Sequence, residues 1–331
     1  MKLPLKPVSS YLNIDLNKLR PKDSYGKLIS QRNHNIDRLI KEKGKIPDEY
    51  LSLRTCPNCG SESFTKELHK DSLDIVKCLD CETVYVNPVF NEKHYDETYQ
   101  SVNYQKVVEE LGHSSHSYRV ERFGKERVQK MSQFIGAKDK VSFLDVGCST
   151  GFVVEAALSL NWDAIGIDLN PSAIDFGVSL GLPLEQKKIQ EITNQKFDVI
   201  GMFDVLEHIP YPKEILDHAY SLLNPGGIIY IYVPNYNSAS RLLMGSDAHF
   251  IWPSHHLTLY TPSTLKLQLE NSKFQFEWFE TEGLDIFDYI WFIKNKSHAE
   301  CEELEKISDH LQFFINASGY GKNLRMICRK V

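Results

Sequence analysis

Four cysteines in the first third of the chain have the spacing of a metal site. Cys56 and Cys59 form one C-x2-C pair, Cys78 and Cys81 form another, and eighteen residues separate the pairs. Thiolates at this spacing are typical of a tetrahedral structural zinc site, which is closed to substrate and stabilises the fold. Gly60 suits the tight turn after the first pair. The sequence therefore predicts a small zinc ribbon here.

A glycine-containing turn in the second half of the chain could bind a nucleoside. Gly147 and Gly151 are separated by three residues, and Asp145 lies two positions before the first glycine. Glycines let the backbone turn tightly and approach a ligand, and the helix expected next presents backbone N–H groups. Asp168, twenty-one residues after Gly147, can accept both hydroxyls of a ribose. The pattern differs from the Gly-x-Gly-x-x-Gly of dinucleotide-binding folds.

Two further segments carry side chains that can take a proton. Asp204, Glu207 and His208 fall within five residues, and they could act as a base or gather a divalent cation. The alternative is that Glu207 and His208 only hydrogen-bond their own loop. His256, four residues before Tyr260, could accept a proton in the same way. Its structural alternative is to tie an insertion to the sheet.

The elements that must position these residues alternate between strands and helices from residue 141 onwards. Apolar runs predict strands at VSFLDVG, DAIGID, LPLEQ, FDVIGMF, GIIYIYVP, FQFEWFE and NLRMICRK. Strands that alternate with helices in short units imply a parallel sheet covered on both faces. The glycine turn follows the first strand, Asp168 ends the second, and Asp204 follows the fourth.

The chain as a whole divides into four predicted segments. Residues 1–50 form a basic, mainly helical leader with eleven Lys/Arg against six Asp/Glu and a helix expected at Tyr25–Lys43. The zinc ribbon covers residues 51–90, and a helical connector covers 91–140. The α/β domain covers 141–331 and contains a substrate insertion at about 235–262.

Bulk composition points to a cytoplasmic protein with reduced thiols. No apolar run has the roughly 18–20 residues of a membrane span, and the first residues lack the apolar core of a signal peptide. The seven cysteines are too scattered for a disulfide framework. The net charge of −6 makes the chain outside the leader acidic, which disfavours nucleic acid as a partner without excluding it.

Four segments together resemble a known enzyme family. LDVGCSTG, IGIDLNP, FDVIGMFDVLEHIP and LNPGGIIYIYVPN occur in the order typical of class I methyltransferases that depend on S-adenosylmethionine (SAM). The likeness covers about residues 115–331 and is strongest to ubiquinone-type O-methyltransferases and related enzymes of surface-sugar pathways. It implies an α/β, Rossmann-like sheet of seven strands behind the zinc ribbon.

The resemblance also implies roles for individual residues. The turn Gly147–Gly151, with Cys148 and Ser149, would hold the methionine end of SAM, and Asp145 would meet its amino group. Asp168 would bind the ribose and Leu169 the adenine, with Met202 and Phe203 beneath the sulfonium. Where relatives often carry an acid for the adenine amino group, this chain reads Gln186-Lys187-Lys188-Ile189. That contact is therefore in doubt.

The substrate prediction is a small polar acceptor, a sugar or sugar-containing metabolite of polysaccharide or secondary metabolism, methylated at oxygen. The ribbon and the following VYVNPVFNEKHYDETY also resemble the leader of the sugar-pathway branch. Two alternatives stay open: an RNA methyltransferase that grips RNA with its ribbon and basic leader, and a non-catalytic SAM-binding module. The resemblance also implies a substrate-covering insertion after the fifth strand, in which relatives have His-Leu and then an aromatic residue, at the positions of His256 and Tyr260; this makes His256 the first choice for a general base. Within the insertion, Ser238–Phe250 is expected to be a mobile lid and His255 to be exposed. The sequence leaves the oligomeric state undefined.

Overall fold

The structure is a computed structural model that describes residues 14–19, 34–91, 94, 112–136, 138–297 and 300–331. Most of the predicted basic leader and part of the predicted connector lie outside the described residues. Of the helix expected at Tyr25–Lys43, the described part is His34–Lys43.

The described residues include thirteen strands and, besides the helical residues 112–119, ten α-helices. The strands are β1 (Leu51–Ser52), β2 (Phe64–Lys70), β3 (Leu73–Cys78), β4 (Val84–Val86), β5 (Val89–Phe90), β6 (Ser142–Val146), β7 (Asp163–Asp168), β8 (Leu184–Gln186), β9 (Phe197–Phe203), β10 (Leu223–Pro234), β11 (Thr258–Leu259), β12 (Phe274–Glu282) and β13 (Asn323–Lys330). The helices are α1 (Leu16–Leu19), α2 (His34–Lys43), α3 (Lys125–Ser132), α4 (Phe152–Leu158), α5 (Pro171–Ser179), α6 (Pro212–Leu222), α7 (Ala239–Met244), α8 (Pro262–Asn271), α9 (Asp285–Ser297) and α10 (Glu302–Ala317).

Seven strands form the central sheet, in the order β12-β13-β10-β9-β6-β7-β8. The five strands from β10 to β8 are parallel, whereas β13 runs antiparallel to both β10 and β12. The sheet is thus mixed rather than wholly parallel as predicted. The chain leaves β6 towards β7 and β8 and then crosses back to β9, so the strand order reverses between β6 and β9. Ligands of open α/β sheets bind beside such a reversal, at the carboxyl ends of the strands.

Both faces of this sheet are covered, which explains its apolar strands. Every residue of β9 is buried, as is all of β6 except its first residue. One face packs under α6 and α8, and the other under α3 and α4. Strands buried on both faces read as continuous apolar runs, so the sequence could locate them without resolving which face each side chain occupies.

A helix before the sheet covers the amino-terminal end of α4. Residues 112–119 are helical and continue through a π-helical turn, Val120–Gly124, into α3. A Cβ at Gly124 would stand 2.6 Å from the carbonyl oxygen of Phe152, so glycine allows this close approach of the two helices.

A second sheet contains strands from two distant parts of the chain. Its order is β11-β4-β3-β2, and β11 pairs antiparallel with β4 through Thr258↔Tyr85 and Leu259↔Val84. The predicted ribbon supplies three of these strands, and the insertion after β10 supplies the fourth. The ribbon and the insertion therefore form one continuous sheet.

The insertion is more regular than the sequence indicated. Its first part contains α7, which Ser238 caps by accepting the N–H of Arg241 at 3.3 Å. Met244, Phe250 and Ile251 are buried in a cluster with ribbon residues. The segment expected to be a mobile lid is thus packed against the ribbon, and α9, which the sequence analysis did not predict, lies beside it.

Candidate active site

The predicted cofactor turn follows β6 and is fastened to the neighbouring strand. The N–H groups of Gly147 and Cys148 donate to the carbonyl of Ile167 at 2.8 and 3.0 Å. Gly147 has a φ of +72°, and a Cβ there would stand 2.4 Å from Cγ2 of Val205. Gly151 has a φ of +80° and immediately precedes α4. Both positions require glycine, because other residues are strained in this conformation.

Asp168 lies at the carboxyl end of β7, beside the turn. One of its carboxylate oxygens accepts the N–H of Ser149 at 2.7 Å, and the other accepts the N–H of Asn170 at 2.8 Å. Burial raises the pKa of Asp168, and these backbone N–H groups oppose that rise. A carboxylate oxygen has further lone pairs, so Asp168 can hold the turn and still accept ligand hydroxyls.

Two more carboxylates stand at the ends of β6 and β9. Asp145 is 1% exposed, and its Oδ1 has no hydrogen-bond partner among the described residues. Burial raises the pKa of Asp145 to about 8, with Arg127 acting in the opposite direction. Asp204 is exposed and has a φ of 57°. Non-glycine residues in this left-handed conformation are strained, and such strain concentrates at functional sites.

Arg127 is a candidate site residue that the sequence analysis missed. Its guanidinium carbon lies 4.3, 4.8 and 5.3 Å from the ring centroids of Phe203, Tyr232 and Phe152. The side chain is buried, and its Nε has no hydrogen-bond partner in the described part of the chain. A desolvated guanidinium with a spare donor suits an anionic ligand group. Its helix was predicted, but nothing in the local sequence marked this arginine.

The apolar residues predicted to contact SAM occupy different environments. Leu169 follows Asp168 and is 60% exposed, which leaves its side chain available to a flat ligand. Phe203 is buried with its ring against Arg127, whereas Met202 has no exposed surface and packs in the core. Gln186 donates its amide to the carbonyl of Leu169 at 3.4 Å, in the place where relatives often carry an acid.

Glu207, His208 and His256 converge at a second cluster, which combines the two predicted proton-accepting segments. One carboxylate oxygen of Glu207 and one nitrogen of each imidazole all lie within 4.8 Å of one another. Nδ1 of His208 donates to the carbonyl of His255 at 2.9 Å, and Nδ1 of His256 donates to the carbonyl of Phe250 at 2.7 Å. Because a carbonyl can only accept, Nε2 is the basic nitrogen of each neutral ring.

The electrostatics of the cluster are unusual for a purely structural group. Glu207 is 1% exposed, and neither of its carboxylate oxygens has a hydrogen-bond partner among the described residues. Burial, reinforced by the charge of Asp204, raises the pKa of Glu207 well above its usual range. Burial lowers the pKa of His208 to about 4, so this imidazole is neutral at neutral pH. A cation or a ligand hydroxyl would relieve the desolvated carboxyl.

Tyr260, also a predicted site residue, stands close to Glu207. It is fully buried, and burial raises the pKa of its hydroxyl, with the nearby charge of Glu207 acting in the same direction. The phenol therefore stays protonated, and in that form its hydroxyl can donate a hydrogen bond to a ligand but cannot serve as a base.

His255 corrects one expectation of the sequence analysis. It is 2% exposed rather than exposed, with its ring stacked on Trp252 at 3.7 Å between centroids. Nδ1 of His255 lies 2.9 Å from the hydroxyl of Ser254. His255 helps to hold the loop of His256 in place. No pattern in the sequence indicated that the side chain of His255 is buried rather than exposed.

Four sulfur atoms meet at one end of the ribbon sheet, and the residues that provide them are Cys56, Cys59, Cys78 and Cys81. The sulfur of Cys56 is 3.5 Å from that of Cys81, and the sulfur of Cys59 is 3.6 Å from that of Cys78. Tetrahedral zinc with Zn–S bonds of about 2.3 Å needs sulfur atoms about 3.8 Å apart. The residues present thus fit a four-thiolate zinc site.

The turns of both cysteine pairs have the backbone of a metal-binding knuckle. The N–H of Gly60 donates to the carbonyl of Cys56 at 2.8 Å, and that of Glu82 donates to the carbonyl of Cys78 at 3.2 Å. Gly60 and Glu82 have positive φ angles of 78° and 63°. The same local geometry in both pairs brings the four thiols to one point.

Comparison with known proteins agrees with this architecture. A model of the methyltransferase domain matches residues 116–280, a range that contains the glycine turn and the Glu207, His208 and His256 cluster. It does not contain the four cysteines. Residues 116–280 are therefore similar to a methyltransferase domain.

Among similar proteins are two ubiquinone biosynthesis O-methyltransferases. The mitochondrial one from Saccharomyces cerevisiae is 29% identical over 197 residues, which cover 54% of this chain and 63% of that protein. The one from Leptothrix cholodnii is 27% identical over 135 residues, which cover 38% of this chain and 57% of that protein. The chain thus spans about 60% of the length of these relatives.

A crystal structure of a SAM-dependent methyltransferase from Archaeoglobus fulgidus is also similar. It has a TM-score of 0.46 and 20% identity, and the match covers 69% of this chain and all of that one.

Within the described ranges, no helix combines the length and apolar character needed to cross a membrane.

Proposed function

We propose that the chain transfers the methyl group of SAM to a hydroxyl oxygen of a small polar acceptor, a sugar or sugar-containing metabolite. The observation that carries this proposal is the convergence of Glu207, His208 and His256 immediately after the strand that ends at the predicted methyl position. Methylation of oxygen requires removal of the hydroxyl proton, and this cluster can supply the group that accepts that proton. The names of the relatives, which are O-methyltransferases, support oxygen as the atom that is methylated. The resemblance of the sequence to enzymes of surface-sugar pathways supports a sugar as the methyl acceptor.

The cofactor would lie across the carboxyl ends of β7, β6 and β9. Asp168 would accept the ribose hydroxyls and Leu169 would face the adenine. The turn from Gly147 to Gly151 would hold the methionine end. Arg127 would bind the methionine carboxylate, because its buried Nε lacks a hydrogen-bond partner among the described residues. Asp145 lies near Arg127 and would bind the amino group of the methionine.

Methyl transfer would form a C–O bond to the acceptor oxygen and break the C–S bond of SAM, in line with one another, and S-adenosylhomocysteine would leave. The hydroxyl proton of the acceptor would pass to Nε2 of His256, or to solvent where that nitrogen is a ligand of a bound cation. Positioning of the two reactants contributes most of the rate enhancement in such a displacement.

A divalent cation fits between Glu207, His208 and His256. Metal-binding imidazoles usually donate their second N–H to a carbonyl or carboxylate, as both of these rings do. The positive charge would also stabilise the ionised form of the buried Glu207 carboxyl. When bound, a cation supplies Lewis-acid activation of the acceptor hydroxyl. The chain's own contribution is to fix the three ligands and to exclude water around them.

Removal of divalent cations is expected to abolish methyl transfer while SAM binding persists. His256→Ala should reduce the rate about 100- to 10,000-fold, because it removes either a ligand of the cation that activates the hydroxyl or, without a cation, the proton acceptor itself. The matched control is His218→Ala, because His218 also bonds a backbone carbonyl, that of Ile192, away from the cluster. Full activity in chelator combined with an inactive His256→Ala variant would contradict the cation and leave His256 as a direct base.

SAM binding at pH 7 is expected to release close to one proton. The carboxyl of Asp145, with a pKa of about 8 in the free protein, is mostly protonated at that pH. The positive charges of SAM favour the carboxylate, so the complex binds fewer protons and the affinity rises with pH until about pH 8. Calorimetry in two buffers of different ionisation enthalpy measures the released proton. Asp145→Asn should remove it, and equal heats in both buffers for the unmodified protein would refute this linkage.

We further propose that Cys56, Cys59, Cys78 and Cys81 hold one structural zinc ion. The support is the sulfur geometry and the paired knuckle turns. A four-thiolate site has no open position for substrate, so its role would be to stabilise the ribbon.

The direct test of the proposed function is methyl transfer from labelled SAM to a panel of sugars, nucleotide-sugars and phenols. Label is expected in a sugar hydroxyl, and His256→Ala should lose it. Label found only in phenols would reject the sugar class and keep oxygen methylation. Label found only on nitrogen or carbon would reject oxygen methylation altogether.

A further inference from the structure

Arg54 of the ribbon reaches into the loops that carry the candidate catalytic histidines. Its Nη1 donates to the carbonyl of Pro210 at 2.7 Å, and its Nη2 donates to the carbonyl of Leu257 at 2.5 Å. Its Nε donates to the carbonyl of Val86 at 3.1 Å, within the ribbon's own sheet. One side chain therefore bonds three separate segments of backbone.

The two loop carbonyls lie next to the histidines in the sequence. Pro210 is two residues after His208, and Leu257 directly follows His256. The two loops also bond each other, because the N–H of Leu257 donates to the carbonyl of Glu207 at 2.7 Å. The guanidinium of Arg54 thus fastens both loops at the place where they meet.

Arg54 is itself held firmly by the ribbon. Asn87 accepts the N–H of Arg54 through Oδ1 at 3.0 Å, and its Nδ2 donates to the carbonyl of Arg54 at 3.1 Å. The guanidinium lies 5.4 Å from the ring centroid of Tyr85, and the side chain is 7% exposed. Cys56, a predicted zinc ligand, is two residues further along the chain.

We propose that Arg54 is a positioning residue that sets the distance between His208 and His256. Through Arg54, the folded zinc ribbon would keep the two histidine loops of the catalytic site in place. The inference rests on the proposed function of the Glu207, His208 and His256 cluster. It gives the ribbon a role beyond the packing of its own sheet. Without Arg54 the two loops keep two mutual hydrogen bonds, from the N–H of Leu257 to the carbonyl of Glu207 and from Nδ1 of His208 to the carbonyl of His255, but they lose the guanidinium that bonds both loops.

The chemistry of arginine suits this role and that of lysine does not. A planar guanidinium presents five N–H donors in a fixed fork, whereas an ammonium is a single compact centre on a flexible stem. Arg54→Lys keeps the positive charge but can satisfy only part of the set of three carbonyls. A displacement of about 1 Å at reacting groups can cost about 100-fold in rate.

The test compares Arg54→Lys with Arg241→Lys in the full-length protein. Arg241 is a matched control, because its Nε donates to the carbonyl of Tyr236 at 2.8 Å and its guanidinium lies 4.4 Å from that ring. It belongs to the insertion but contacts neither histidine loop in any described bond. Both variants are measured well below their unfolding temperatures, after thermal unfolding has shown that they are folded.

The first readouts need no acceptor. In Arg54→Lys, the imidazole N–H resonances of His208 and His256 are expected to shift, and amide exchange is expected to rise about tenfold or more in residues 204–210 and 254–260. The SAM dissociation constant and amide exchange in the glycine turn should stay within about twofold of the unmodified protein. Arg241→Lys should move none of these signals.

With an acceptor in hand, kcat in Arg54→Lys should fall about 10- to 100-fold while the KM for SAM stays unchanged. Unmoved histidine resonances and unchanged exchange in a folded Arg54→Lys would overturn the positioning role. That result is distinguishable from a failure of the proposed function, in which the unmodified protein would show no methyl transfer although Arg54→Lys still altered the histidine signals.

Discussion

Asp168→Ala is expected to weaken SAM binding at least about 100-fold. The substitution would remove two charge-assisted hydrogen bonds between the carboxylate and the ribose, each worth about 1.5–3 kcal/mol. Because about 1.4 kcal/mol corresponds to a tenfold change in affinity, their loss exceeds a factor of about 100. The substitution also removes the bond that holds the N–H of Ser149 at 2.7 Å, so the turn itself would loosen.

Asp163→Ala is the matched control for this experiment. Asp163 starts the same strand, β7, at its opposite end, and its side chain is 67% exposed. SAM affinity should change less than about twofold in this variant. Calorimetric titration of both variants gives the comparison, and equal affinities for Asp168→Ala and the unmodified protein would rule out the ribose contact.

Cys59→Ser is expected to eliminate bound zinc and to unfold the ribbon. Structural zinc contributes an apparent 10–16 kcal/mol in small zinc-binding peptides, about as much as the whole stability of many domains. Because β11 of the insertion pairs with β4 of the ribbon, the loss should extend to the loop of His256 and abolish methyl transfer. SAM binding should persist, since its proposed residues lie on the central sheet.

Metal analysis and calorimetry measure the two halves of this prediction. Cys301→Ser is the control, because Cys301 is buried beside α10, away from the other thiols, and its loss should leave the zinc content at one per chain. Unmodified protein that purified without zinc, and gained no stability when zinc was added, would disprove the metal assignment.

The cofactor side of the site could be predicted because its signals are local. Gly147 and Gly151 need positive φ angles, Asp168 ends an apolar strand, and all three fall in short motifs of characteristic order. Local conformational requirements of this kind are written directly into residue types. The central strands β6 and β9 were also evident, because strands buried on both faces read as continuous apolar runs.

The rest depends on contacts between distant parts of the chain. The pairing of Thr258 with Tyr85 joins residues more than 170 positions apart, and two-residue strands such as β11 carry no periodic signal. Arg127 and Arg54 resemble ordinary surface arginines in the sequence, and only burial beside carboxylates or carbonyls distinguishes them. His255 was misplaced for the same reason, since its stacking on Trp252 follows from tertiary packing.

The ribbon and the insertion together support the part of the site that contains Glu207, His208 and His256. The ribbon is no separate appendage, because its sheet continues into the insertion and Arg54 bonds both histidine loops. Loss of ribbon structure should therefore reduce catalysis before it reduces cofactor affinity. The Cys59→Ser and Arg54→Lys variants probe this coupling at two different points.

The measurement that tests the account most directly is calorimetric titration of the unmodified protein with SAM and with S-adenosylhomocysteine. The account predicts one site per chain with a micromolar dissociation constant for each ligand. Absence of binding by both at millimolar concentration would contradict the cofactor site, and with it the proposed methyl transfer.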